Sequence, residues 1–94
     1  MKSSGLTGNA LNWAVSHAEG LTGILAPVNY SGKWEHGGPI IERERLCVYD
    51  LGGDEWGCDD NLNPRSVGPT PLIAAMRCYV ASKLGDDVDV PELL

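Results

Sequence analysis

Three cysteines and two histidines are the soft and nitrogen donors of this 94-residue chain, and Cys47, Cys58, His17 and His36 are the first candidates for holding a metal ion. A structural zinc site shows paired ligands a few residues apart, and no such pair occurs. The expected state of these groups is therefore buried thiols and surface imidazoles, with no metal and no cofactor. Asp59, Asn61 and Asn63 alternate as calcium ligands do. Pro64, however, occupies the place where that loop needs glycine, and Thr70 stands where its bidentate glutamate belongs. Cys47 or Cys58 with His36 is the one nucleophile and base pair available in principle, without a nucleophile elbow around it. Glu42 and Glu44 share one side of a strand but stand about 200° apart on a helix. These spacings assign no catalytic residue.

Binding chemistry is better represented. Gly37-Gly38-Pro39 resembles the glycine-rich entrance to a short helix, where free N–H groups meet an anion. It lacks the Lys and Ser or Thr of a Walker loop, so nucleotide hydrolysis is not indicated and a sharp turn is the simpler role. A sharper reading joins Tyr30, Trp34, Gly37 and Gly38 with Arg43 or Arg77 in a cleft whose aromatics stack a flat ligand and whose guanidinium pairs with its phosphate. Arg77 lies among small and apolar residues, where a charge needs a partner such as Glu42 or Glu44. An internal ion pair explains it equally well.

The elements that must position these groups follow from periodicity and caps. Thr7 is a good N-cap, and Leu11, Ala14, Val15 and Ala18 recur at helical spacing until Gly20, giving a first helix over Gly8 to Glu19. Trp13 sits off the centre of that stripe and is expected to find cover. Ile24 to Tyr30, interrupted by Pro27, reads as a short edge strand. Ser31 to Gly38 reads as a loop, with Pro39 opening one or two helical turns. Leu46 to Leu51 resumes a strand, Asp50 to Asp54 makes a hairpin turn, and Glu55 to Cys58 returns. Asp59 to Pro69 reads as irregular. Thr70 as N-cap, Pro71 at the first helical position and Gly85 in a positive-φ stop then delimit a second long helix. It presents Leu72, Ile73, Met76, Tyr79, Val80 and Leu84 on one side, with Ala74, Ala75 and Ala81 allowing close neighbours. The expected fold is α+β: a small, mostly antiparallel sheet covered by two main helices in one domain over residues 1–94. Residues 86–94 form an acidic C-terminal tail beyond the core, able to pair with another subunit.

Composition limits the partners. Thirteen acidic against seven basic residues give a formal net charge of −6, which repels a phosphate backbone unless the cations cluster, and along the sequence they are scattered. Nucleic-acid binding is disfavoured. Absence of an apolar segment after Met1-Lys2-Ser3-Ser4 and an odd cysteine count fit reduced thiols in a cytosol. No run approaches the roughly 20 apolar residues that cross a bilayer, so no membrane role is expected.

Gly37-Gly38-Pro39-Ile40-Ile41-Glu42-Arg43-Glu44, the segment Gly68 to Gly85, and the closing Gly85-Asp86-Asp87-Val88-Asp89-Val90-Pro91-Glu92-Leu93 together resemble the NinX-like family of small phage proteins of unknown function. The resemblance implies a phage or prophage protein working in the bacterial cytoplasm, with no catalytic residues to carry over. It leads to the expectation of a non-enzymatic accessory protein that acts by binding, blocking a host defence factor. The alternative is a sponge for a nucleotide-derived defence signal, held in the aromatic and arginine cleft. A homo-oligomer is expected under both, because a domain this small with exposed Trp13, Trp34 or Trp56 gains cover from a symmetric contact.

Overall fold

The computed structural model describes residues 2–21, 28–60 and 65–91. The chain begins with a single 3-10 turn over Ser3–Gly5, followed by α1 (Gly8–Ala18), α2 (Trp34–Glu44), β1 (Cys47–Gly52), β2 (Glu55–Asp59), β3 (Ser66–Gly68) and α3 (Pro71–Leu84). The three strands form an antiparallel meander in the order β1-β2-β3. One face of the meander packs on α3, and α1 and α2 pack against other faces of the same helix. The fold is α+β, as composition and periodicity indicated.

This placement explains the sequence of α3. A helix bordered by a sheet and by two helices needs apolar or small residues nearly all round. Leu72, Ala74, Ala75, Met76, Cys78, Tyr79 and Val80 are all buried. Its start is as expected, with the Thr70 hydroxyl accepting from Ile73 N–H at 3.1 Å and Pro71 following. Its end is Gly85 at φ 84°, a backbone state that costs glycine nothing. Gly68 lets β3 run directly into the helix, since a Cβ there would stand 2.8 Å from the amide nitrogen of Ala74.

The hairpin is also as expected. Gly52, Gly53 and Asp54 all take positive φ, and the Asp50 carboxylate accepts from Gly52 N–H at 2.7 Å, closing an Asx turn. Tyr49 faces Gly57 across the ladder, and a Cβ on Gly57 would meet both the Tyr49 ring and Arg65 Cδ at 2.9–3.0 Å. Glycine here lets Tyr49 and Arg65 lie over the strand.

Four expectations are corrected. Ser31 to Gly38 is not a loop throughout, because α2 already begins at Trp34 and carries Pro39 inside it. The proline forfeits one helical hydrogen bond, while Gly38 before it has no Cβ to clash with the ring. What holds the helix is tertiary: Ile40 is buried, and Gly37 lies so close to the Tyr30 carbonyl and the Leu72 side chain that no Cβ would fit. Asp59 to Pro69 is not wholly irregular, since Ser66–Gly68 pairs with β2. Val28, Asn29 and Tyr30 belong to no strand; the other strand positions, 24–27, lie outside the described residues. The described part of the tail, residues 86–91, does not leave the core. Ser3 N–H donates to the Asp86 carbonyl at 2.7 Å, Lys2 and Asp87 form a β-bridge, Val88 is buried and Val90 packs on the core.

The first helix ends at Ala18 and has Thr7 at its N-cap, although the Thr7 side chain makes no cap hydrogen bond. Asn12 ties this helix to the next turn. Its side-chain oxygen accepts from Ser31 N–H at 2.9 Å and Ser31 Oγ at 2.7 Å, and its amide donates to Asn29 Oδ1 at 3.1 Å. No described helix is long and apolar enough to cross a membrane.

Candidate functional site

A concavity lies where the N-terminal turn, β3 and α3 converge. Lys2, Ser3 and Ser4 form one wall, and Arg65, Ser66 and Val67 the other; Arg77 and Ala81 of α3 lie between them, with Asp86 at the rim. Its volume is about 580 Å³, within the range of small-molecule sites. Three of the chain's seven Lys and Arg residues line it. In a protein of net charge −6, this is a local reversal of sign.

Arg77 is the central group. Its Nε donates to the Leu6 carbonyl and its Nη1 to the Val67 carbonyl, both at 2.8 Å. These bonds satisfy the backbone of the N-terminal segment and of the edge strand, and they fix the guanidinium plane. Neutral carbonyls orient the cation without cancelling its charge, and no carboxylate pairs with it among the described residues. Burial draws its pKa below the ordinary guanidinium value, though not out of the range in which arginine is charged. The sequence expectation of a Glu42 or Glu44 partner is corrected here: Glu42 is exposed and Glu44 is taken by other cations.

Those cations belong to a separate cluster. Arg43 donates through Nη1 and Nη2 to the two oxygens of Glu19, at 3.1 and 2.7 Å, and through Nε to Glu44 at 2.9 Å. Lys83 lies 3.3 Å from the other Glu44 oxygen. The Tyr79 hydroxyl donates to Glu19 and accepts from Arg43 Nη2. The hydrogen bond that Arg43 donates to each carboxylate is what most holds Glu19 and Glu44 below the ordinary carboxylate range. This set ties the C-terminal ends of α1 and α2 to α3.

The structure brings together only part of the sequence-derived cleft. Trp34, Gly37 and Gly38 share the first turns of α2, with Tyr30 just before them. Arg43 stands about 13 Å from Trp34, and about 9 Å from Gly37, along the same helix and is engaged as described. Arg77 and Tyr79, the α3 contact of Arg43, are two positions apart and so point about 200° away from each other. The two arginines therefore serve different sides of α3. Gly37 and Gly38 lie inside the helix rather than at its entrance, so they offer no free N–H groups to an anion.

The thiols divide by exposure. Cys47 is exposed, while Cys58 and Cys78 are buried and free. They are neighbours, and contact with Cys78 together with burial pushes the Cys58 thiol up. Among the described residues no three of His, Cys, Asp and Glu gather as a metal site would require. Lys2, Arg65 and the three serines were not singled out by sequence reasoning. They are separated by some sixty positions and share no motif, so only the fold makes them neighbours.

The family model described as Bacteriophage P22, NinX matches residues 26–83, which is more than half of the chain. The protein belongs to the phage NinX family. The match contains the Arg65 to Val67 wall and Arg77, while the Lys2 to Ser4 wall and Asp86 fall outside it. No curated protein matches the chain.

Proposed function

We propose that this NinX-family protein acts by binding rather than catalysis, and that its groove sequesters a small phosphate-bearing molecule in the cytoplasm of the phage's host. The observation that carries the reading is Arg77, a half-buried, oriented cation facing a groove with Arg65 and Lys2 and lacking a carboxylate partner among the described residues. A desolvated guanidinium is unfavourable until an anion meets it, and its fork matches two oxygens of a phosphate. Ser3 and Ser4, which line the same groove, carry hydroxyl groups that can donate. The surrounding net negative charge disfavours an extended nucleic-acid backbone and leaves a compact anion as the better fit.

Thermal unfolding against pyrophosphate, mononucleotides and cyclic dinucleotides tests this. A ligand in excess over its Kd raises the melting temperature in a concentration-dependent way. Arg65→Gln combined with Lys2→Gln should abolish that rise while the unliganded protein still melts cooperatively. A flat response of the wild type across the panel removes the reading.

One observation favours a second role. Trp34 is 56 % exposed, an unusual cost for the largest apolar side chain, and Leu21 and Val28 are also exposed. We propose the Trp34 side chain on α2 as the contact by which a host protein would be blocked or a second copy bound. Trp34→Ser should then eliminate partner capture or shift sedimentation from oligomer to monomer; the absence of both changes discards the proposal.

A further inference from the structure

Resting on the anion-binding reading above, we propose that the groove is built for a hydroxylated organic phosphate, a sugar phosphate or the sugar-phosphate part of a nucleotide, and not for a bare phosphate or polyphosphate. The discriminating residue is Asp86. Asp86 is an exposed residue that lines the groove together with Arg77, Arg65 and Lys2, yet its carboxylate forms an ion pair with none of them; Lys2 pairs instead with Asp87 at 3.3 Å. Among the described residues the Asp86 carboxylate has no hydrogen-bond partner, while its backbone carbonyl is fixed by Ser3 N–H at 2.7 Å.

An ionised carboxylate only accepts hydrogen bonds. Placed beside a phosphate site, it repels a ligand that carries nothing but oxyanions and rewards one that also carries a donor. A hydroxyl a few bonds from a phosphate supplies that donor. The rest of the lining narrows the ring type, since Val67 and Ala81 are its apolar members and no aromatic side chain contributes. A nucleobase would find no stacking platform, whereas a sugar needs only hydrogen-bond partners and small apolar contacts. The phosphate sits on the Arg77 and Arg65 forks, the ring lies over Val67 and Ala81, and its hydroxyls reach Asp86.

The probes are inorganic phosphate and ribose 5-phosphate, titrated calorimetrically into the full chain. Ribose 5-phosphate should bind the wild type about tenfold more tightly, the worth of one hydrogen bond to a charged acceptor. Asp86→Ala keeps the backbone carbonyl that holds Ser3 and should erase the preference, weakening ribose 5-phosphate about tenfold and leaving inorganic phosphate equal or slightly tighter. Arg65→Gln should weaken both. If the wild type binds neither probe, the anion-binding reading itself is overturned. If it binds both equally, or Asp86→Ala weakens both alike, the anion site stands and the sugar specificity is wrong. Unchanged far-ultraviolet dichroism and melting temperature in Asp86→Ala confirm that lost affinity is not lost fold.

Discussion

Replacing Gly37 by alanine should destabilise the protein even though glycine in a helix is ordinarily the weaker choice. Alanine gains about 1 kcal/mol over glycine in a helix interior. At this position the new Cβ would stand 2.5 Å from Leu72 Cδ1 and closer still to the Tyr30 carbonyl oxygen. Ordinary carbon contacts are about 3.5–4.0 Å, so the overlap is about 1–1.5 Å. Leu72 is only 3 % exposed and has no space to retreat into, and the carbonyl belongs to the backbone. Overpacking of this kind costs about 1–3 kcal/mol, and a clash with backbone places it at the upper end. The net loss is about 1–2 kcal/mol, equivalent to a melting temperature roughly 4–16 °C lower for a domain of this size. Gly38→Ala is the internal control. Its Cβ would lie 3.8 Å from the Trp34 ring, an ordinary contact, and its helix gain is offset by the clash with Pro39, so stability should change by less than about 0.5 kcal/mol. Urea denaturation followed by tryptophan fluorescence, with unchanged m-values, measures both. Equal stability of the two variants would show that α2 does not rest on Tyr30 and α3 as described.

Asn12→Ala strands the Ser31 amide and hydroxyl and should cost about 2–3 kcal/mol in the same assay, since both are buried donors. Glu19 and Glu44 have pKa values below those of the unfolded chain; their stabilisation is therefore present above the unfolded value near 4.3 and is lost as pH falls through the folded values. Wild-type stability should drop as pH falls below about 4.3, and Glu19→Gln should flatten that part of the profile. A profile identical to wild type would refute the role given to the Arg43 cluster. In a thiol titration of the native protein Cys47 should react at once, and Cys58 and Cys78 only after denaturant is added.

What could be read from the sequence was whatever local chemistry decides. The Thr70 cap, Pro71 and the Gly85 stop define α3 without help from elsewhere, and the glycines at 52 and 53 define the hairpin. The turns of α2 after Pro39 were legible, but its start at Trp34 was hidden because Gly37, Gly38 and Pro39 oppose a helix locally, and the compensation comes from Leu72, thirty-five positions away. β3 was hidden by its length of three residues. Arg77 was recognised as anomalous, but its partners are backbone carbonyls, which carry no side-chain signature. The groove was not legible for the same reason: Lys2, Arg65 and Arg77 converge only when the N-terminal segment and the edge strand close on α3.

Because α3 borders the sheet, both other helices and the N-terminal turn, each of them loses its main packing partner once that helix frays. Amide hydrogens in the sheet and in α1 should thus exchange through a shared whole-molecule opening rather than through separate local ones. An amino-acid change far from the groove then empties it by lowering the population of the folded chain, with the affinity of the surviving molecules untouched.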